Sequence, residues 1–337
     1  PNKNLFSHII GNVDVDQKGV SGVELFLDEE IKNKAKIDEP IILSVDQNIQ
    51  FIIRETLRKS MRVFDAKGAS GILLDAQSGK VLSMISLPDY NPNNRRELAN
   101  KKYLFNKNTK GLYELGSIFK TFVIANALEK KIVTRDKIYK NLPKEVKCGK
   151  FPIREYKYSL DKKNLTVNDI LVESSNIGTI RIIQESGLDS YRKFLENLEI
   201  FNYSKIELPE VSASTKKRWG KCNTLTAGYG HGINTTPIQL TRAFAAIING
   251  GYLFDVSLLK NKDPKFKSKI ISKKNSETMR KILRTNVDKN YTRGGSGRKA
   301  DIKGYNVMGK TGTAEKPLKL SKGYSNEILN IFTSAFE

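Results

Sequence analysis

Ser117 and Lys120 stand one helical turn apart in the stretch GLYELGSIFKTFVIANALEKK, Gly111 to Lys131. The run after Ser117 is apolar enough to be buried, and a lysine inside it is costly to bury without a role. Burial also favours a neutral amine, and a neutral amine beside a serine can take the hydroxyl proton and release an oxygen nucleophile. A helix start adds free backbone N–H groups that can stabilise a developing oxyanion. The spacing alone says little. Ser-x-x-Lys recurs along the chain, among other places at Ser117/Lys120, Ser159/Lys162, Ser214/Lys217, Ser257/Lys260 and Ser296/Lys299. Only the first opens a long apolar helix behind a glycine; the other four lie in polar, lysine-rich or glycine-rich surroundings and read as surface.

Ser174-Ser175-Asn176 is the chain's Ser-x-Asn, and by itself it reads as a polar turn or helix cap. Lys310-Thr311-Gly312 by itself reads as a strand with a glycine bulge. A rival covers the same residues: GYNVMGKT, Gly304 to Thr311, fits the phosphate-loop pattern G-x-x-x-x-G-K-[ST], and ILLD at Ile72 to Asp75 resembles its acidic partner strand. A phosphate loop must follow a buried strand and open a helix. Here RKADIK precedes it, Gly312 and Pro317 break any helix after it, and ILLD comes too early in the chain. The cluster GYGHG, Gly228 to Gly232, also lacks a preceding apolar strand. With two histidines, His8 and His231, a Ser-His-Asp triad would have to use one of them, and a His-rich metal site is impossible. His231 reads as structural or surface, and lysine is the better candidate base. Cys148 and Cys222 have no metal or redox spacing; one disulfide is allowed but not implied.

The elements that must position these residues follow from periodicity. In QNIQFIIRETLRKSMRVF, Ile49, Ile53, Leu57 and Met61 share a helix face. GILLDAQSGKVLSMISL reads as a hairpin around Gln77-Ser78-Gly79, with both faces apolar and helices expected on each side. Residues 132–165 are charged and irregular. LTVNDILVESSNIGTIRIIQESG gives two helical runs broken at Ser174-Ser175-Asn176, and DSYRKFLENLEI a third. TPIQLTRAFAAIINGG is the clearest helix, with Pro237 in its first turn and Gly250 past its end. YNVMGKTGTA reads as a strand carrying two glycines. Helices inserted between a hairpin and a distant third strand predict an α/β or α+β domain with one mixed or antiparallel sheet.

The length of 337 residues, with 39% hydrophobic and 28% charged residues, fits one large domain or two modest ones. No run of eighteen apolar residues is present. The formal charge of +22 comes from 43 Lys and 15 Arg scattered along the chain. No basic stripe interleaves with aromatic residues, so the charge reads as a solvated surface rather than a nucleic-acid site; a weak attraction to anionic membrane or wall polymer stays open. Starting at Pro1 without an initiator methionine or signal-like segment, the chain reads as a piece of something longer, with any anchor upstream.

Taken in order, Ser-x-x-Lys on a helix, Ser-x-Asn on a turn and Lys-Thr-Gly on a strand are far stronger than apart. The sequence closely resembles the penicillin-binding transpeptidases, specifically class B and most closely the FtsI (septal) type. HIIGNVDVDQKGVSGVE resembles the segment joining that family's N-terminal pedestal to its catalytic domain. LSVDQNIQ, GILLDAQSGKVLSM, LPDYNPN and NKNTKGLYELGSIFK resemble its opening elements, and GYGHGINTTPIQLTRAFAAIINGG and VMGKTGTAEK its closing signature. Leu115 stands where proline is usual, and Ile118 where a small hydroxyl residue is common. The resemblance implies the penicillin-binding transpeptidase and β-lactamase-like fold, an antiparallel sheet with helices on both faces. It implies residues 1–40 as the end of the pedestal and 41–337 as a transpeptidase domain lacking its last strand and helix. Such a chain, expressed alone, is expected to be poorly soluble and weakly acylated.

The resemblance also implies acyl transfer on stem peptides ending in D-Ala-D-Ala. Ser117 would be the nucleophile, Lys120 its base and Ser174 a proton relay. Asn176 would donate to the substrate amide and orient Lys120. Lys310, Thr311 and Thr313 would hold the terminal carboxylate, with Gly309 and Gly312 letting the peptide lie along the strand. Backbone N–H groups of Ser117 and Thr313 would form the oxyanion hole. No cofactor or metal is implied. The implied partners are peptidoglycan stem peptides, β-lactam antibiotics and division-complex membrane proteins including a SEDS-type glycosyltransferase. The implied place is the periplasmic face of the inner membrane, on an N-terminal transmembrane helix. Glu173 and Glu315 lie in no recognisable deacylating loop, but a β-lactam-sensing or β-lactamase-like acylase stays the alternative, with the phosphate-loop nucleotide binder as the remote one.

Overall fold

The structure is a computed structural model that describes residues 3–35, 39–155, 163–214, 220–317 and 324–337. Helix α1, Gln47–Val63, begins where the Asp46 carboxylate accepts the N–H groups of Asn48 and Ile49, each at 2.9 Å. Its half-buried face, Ile49, Ile53, Leu57 and Met61, lies on the hairpin formed by β1, Ala69–Leu74, and β2, Val81–Leu87. Gly71 sits under that face: a Cβ there would come within 3.1 Å of Leu57 Cδ1 and 3.2 Å of Ile53 Cγ2. The opposite face, carrying Val81 and Met84, packs with Ile238 in a separate core cluster that also takes in Ile9 and Val23 from the N-terminal segment. The expected two-sided cover of the hairpin is therefore present.

The larger core surrounds helix α2, Phe119–Glu129, every residue of which from Phe119 to Leu128 is buried. A helix apolar on all sides belongs in an interior, and this one follows a short 3₁₀ turn, Gly116–Ile118, that carries Ser117. The irregular stretch of the sequence contains a hairpin that its composition hid: β3, Glu145–Cys148, and β4, Phe151–Arg154. These strands are short and lysine-bearing, with Pro152 inside, so the alternation is too brief to register.

Helices α3, Val167–Val172, and α4, Asn176–Ser186, flank the Ser174 turn, and α5 covers Leu188–Asn197. Cys222, in α6 (Lys221–Ala227), is joined by a disulfide to Cys148. Helix α7, Pro237–Ile248, has Pro237 in its first turn and gives way at Asn249 to Gly250, at φ +99°. It carries Ile238 onto the hairpin. Helix α8, Lys273–Val287, packs against β5, Met308–Pro317, which pairs antiparallel with β6, Tyr324–Ala335.

One feature differs from the single sheet expected. Among the described residues the strands form six two-stranded antiparallel ladders rather than one continuous sheet. The β1–β2 and β5–β6 ladders are held around the cores by helices instead of by each other's backbone groups. Strand β6 alternates, with Leu329 and Ile331 against the large core and Ile328 and Phe332 facing outward, 64% and 42% exposed.

Candidate active site

The Ser117 hydroxyl stands in the 3₁₀ turn ahead of α2, and one turn on Lys120 is 1% exposed. The Lys120 Nζ donates to Ser117 Oγ at 3.0 Å, to the Ser174 carbonyl at 2.5 Å and to Ser174 Oγ at 3.1 Å. Lys310, 0% exposed, donates to the same Ser174 Oγ at 3.1 Å and to the Thr311 carbonyl at 3.1 Å. Residues 57 and 136 positions apart from one another along the chain thus meet around two hydroxyls. Ser174 is placed by strain: its φ is +58°, the left-handed region that side chains disfavour, and that turn aims its carbonyl and hydroxyl together at Lys120.

Burial holds the Lys120 amine well below the ordinary ammonium range; the Lys310 charge adds to this and the Glu155 carboxylate opposes it. Burial alone brings Lys310 down to about 7. Both amines can therefore be neutral near physiological pH, which a base needs. Once Lys120 is neutral, its lone pair can accept the Ser117 proton while two N–H bonds remain for Ser174.

The Lys310 shift has a thermodynamic sign. An unfolded lysine titrates near about 10.4, above the folded value of about 7. Between those values the unfolded chain holds a proton that the folded chain lacks, so stability rises with pH across that window. Below it the charged amine is buried at full cost. Lys310→Met should therefore exceed the parent in melting temperature most at pH 6, with the gap narrowing toward pH 9. A gap that is flat with pH would place the folded lysine near its ordinary value.

Two expectations are corrected. Asn176 does not orient Lys120: its Nδ2 donates to the Arg154 carbonyl at 3.0 Å, because as the first residue of α4 it faces β4. Ser117 and Ser174 orient the lysine instead. Lys310 does not share the open face of its strand with Thr311 and Thr313, because side chains alternate along β5. Its ammonium points inward to Ser174, while Thr311 is half-buried and Thr313 exposed. The Thr311 Oγ1 lies 2.5 Å from Ser296 Oγ, so the accessible hydroxyl row begins with a residue that read as surface noise. Ser257 was misread too: it is 2% exposed and donates to Glu207 at 2.9 Å. Ser159, Lys162 and Lys217 lie outside the described residues.

Gly116, at φ +57°, is where the Ser117 turn meets β5. A Cβ there would strike the Thr313 carbonyl oxygen at 2.4 Å. Gly230, from the GYGHG cluster, closes on the other side: its Cβ would strike the Gly116 carbonyl oxygen at 2.1 Å. That cluster wraps the nucleophile turn. His231 within it is half-exposed, with its Nδ1 3.7 Å from Glu114 and its ring 5.2 Å from that of Tyr324. The phosphate-loop residues Met308 to Thr311 are strand, with Lys310 turned away from solvent and the strand, not a helix, continuing to Pro317. A groove of about 1070 Å³ lined by Phe6, Val13, Val20 and Ile41 lies apart from this site, with none of Ser117, Lys120, Ser174 or Lys310 in its lining.

Sequence reasoning missed Glu155. Its carboxylate accepts the Ser175 hydroxyl and the N–H groups of Asn176 at 2.9 Å and Ile177 at 3.0 Å. A carboxylate at a helix N-terminus is favoured by the orphan donors and by the dipole, and this one fixes the turn that carries Ser174. The signal available was an acidic residue closing a charged stretch, which is too common to single out.

The penicillin binding protein transpeptidase domain matches residues 69–336. The probable peptidoglycan D,D-transpeptidase FtsI of Caulobacter vibrioides is 33% identical over 92% of this chain and 52% of its own length. The chain spans about half the length of the curated relatives it matches. The transpeptidase domain of Burkholderia pseudomallei penicillin-binding protein 3 superposes with a TM-score of 0.75 at 25% identity, covering 87% of this chain and 82% of that one. Penicillin binding protein 3 of Mycobacterium tuberculosis, solved with aztreonam, gives a TM-score of 0.84 at 22% identity, covering 99% and 80%, a likeness of fold. The domain match, together with the helix, turn and strand that bring Ser117, Lys120, Ser174 and Lys310 together, shows that the chain belongs to the penicillin-binding protein transpeptidase family, class B, FtsI type.

Proposed function

We propose that this chain carries the catalytic centre of a serine D,D-transpeptidase that cross-links peptidoglycan stem peptides. The observation that supports it most is the Lys120 amine 3.0 Å from Ser117 Oγ, linked through Ser174 to Lys310. In the first step Ser117 Oγ attacks the penultimate D-Ala carbonyl and its proton passes to Lys120. The C–N bond to the terminal D-Ala breaks, and that amine leaves with a proton returned through Lys120 and Ser174. In the second step an amine from a neighbouring stem attacks the ester and Ser117 recovers its proton. Backbone N–H groups of Ser117 and Thr313 serve as the oxyanion hole, a role favoured by the contact between Gly116 and Thr313. Thr311 and Thr313, with Gly312 between them, take the substrate carboxylate. Lys310 acts from behind through Ser174, and Asn176 meets the substrate amide.

A β-lactam would acylate Ser117 by the same route and stay attached. The septal role, division-complex partners including a SEDS-type glycosyltransferase, and a membrane anchor preceding the catalytic part follow from the FtsI-type assignment as parts of this reading. So does the division into a pedestal end at residues 1–40 and a transpeptidase domain from residue 41. The Cys148–Cys222 disulfide favours an oxidising compartment such as the periplasm. No helix among the described residues is long and apolar enough to cross a membrane.

The reading is tested with a fluorescent penicillin, a chromogenic cephalosporin and a donor–acceptor pair of stem peptides. Stable labelling and peptide cross-linking support it; rapid cephalosporin turnover without cross-linking would establish the β-lactamase-like alternative. Lys310→Ala should slow acylation by about two orders of magnitude, the scale of a lost electrostatic contact in a site. ATP should leave the melting temperature unchanged, and a shift that vanishes in Lys310→Ala would revive the nucleotide reading.

A further inference from the structure

Ser174 and Lys310 must stay in register although they come from different elements and two amines crowd one hydroxyl. A glycine-rich loop between α8 and β5, residues 291–297, spans the seam between them. At one end Arg293 Nη1 pairs with Glu173 at 2.6 Å and its Nε with Asp169 at 3.4 Å, while Tyr291 Oη donates to Asp169 at 2.5 Å. Glu173 immediately precedes Ser174, and both carboxylates are buried, with side chains 3% and 5% exposed. At the other end Ser296 meets Thr311, the neighbour of Lys310, and also donates to Asn286 Oδ1 at 3.3 Å. Asn286, itself 0% exposed, donates through Nδ2 to the Gly309 carbonyl at 2.7 Å. Gly295 lets the loop lie directly on the Asn286 carbonyl, where a Cβ would come within 1.9 Å.

We propose that Arg293 is a positioning residue: its ion pairs with Glu173 and Asp169 fasten this loop across the seam and so hold Ser174 on Lys310. The proposal rests on the transpeptidase reading. A strained turn needs an external restraint, and ion pairs with nearly buried carboxylates supply a stiffer one than exposed pairs do. Arg293 touches none of Ser117, Lys120 or Lys310 in the contacts described, so its influence passes through the turn. Guanidinium geometry matters here, since one group must reach two carboxylates through different nitrogens.

The test uses the full chain and a fluorescent penicillin, with the acylation rate constant resolved from the binding constant. Arg293→Ala should lower the rate constant roughly ten- to a hundredfold, the scale of a small displacement in a reacting geometry, with binding changed by less than about threefold. Arg293→Lys should recover part of the loss. Glu173→Gln should fall in the same direction, and the double variant should be no slower than the worse single one. Arg192→Ala, which removes an exposed pair with Glu196 on α5, should match the parent. An Arg293→Ala protein with a lower melting temperature but the parent's rate constant per folded molecule would overturn the proposal. So would a loss confined to binding, which would make Arg293 a ligand contact. A parent that does not label at Ser117 would fail the transpeptidase reading itself, a separate outcome.

Discussion

Replacing Ser117 by alanine is expected to abolish covalent labelling by a fluorescent penicillin, whereas Ser159→Ala, Ser214→Ala, Ser257→Ala and Ser296→Ala keep it. The expectation follows from the surroundings of the hydroxyls among the described residues. Among the described serines of these five, Ser117 is the one whose oxygen accepts from a buried lysine amine, at 3.0 Å, next to the Gly116 approach to β5. Ser257 is engaged with Glu207 inside the second core and has no access to a ligand. Ser296 is at the rim of the site, so Ser296→Ala should label more slowly while still labelling completely. Intact-mass measurement after penicillin treatment reads the outcome directly. Adduct formation on the Ser117→Ala protein would remove the central assignment.

Lys120→Met should slow acylation by about three orders of magnitude, within the range for loss of a positioned base, while leaving the protein as stable as the parent or more so. Both halves come from the same fact: Lys120 is 1% exposed among Phe119, Phe122 and Val123. A buried amine is paid for in stability, and an apolar chain of similar length removes that cost. Lys120→Arg should not restore the rate, because a guanidinium stays charged and cannot accept the Ser117 proton. Melting temperature and labelling rate measured together decide it. A Lys120→Met protein that melts well below the parent would mean that the amine is chiefly a structural bridge to Ser174.

The parts legible in the sequence were those written in local chemistry. The apolar run after Ser117, the break at Ser174 and the Pro237–Gly250 brackets are short-range signals, and each appears where periodicity places it. The order of Ser117, Ser174 and Lys310 along the chain gave the family. What escaped was direction and support. The inward aim of Lys310 depends on which face of β5 meets the core, and the path of Asn176 on the position of β4, neither of which spacing encodes. Glu155 and Arg293 act through partners 21 and 120 positions away, so nothing in their own neighbourhoods distinguishes them from surface charge. The division into two-stranded ladders among the described residues was not legible, because strand count was visible while inter-strand pairing was not.

Gly116 and Gly230 bear on how such a site can evolve under antibiotic pressure. Between the Thr313 carbonyl and the Gly230 backbone there is no room for a methyl group, and both glycines have positive φ, at +57° and +82°. A side chain at Gly116 would push the Ser117 turn off β5 and one at Gly230 would push on the Gly116 carbonyl, which on the proposed function would spoil the reaction with stem peptide and with drug alike. Selection for resistance is thereby barred from the floor of the site. It is left with the rim, where His231 is exposed and where bulk or charge can change without moving that backbone.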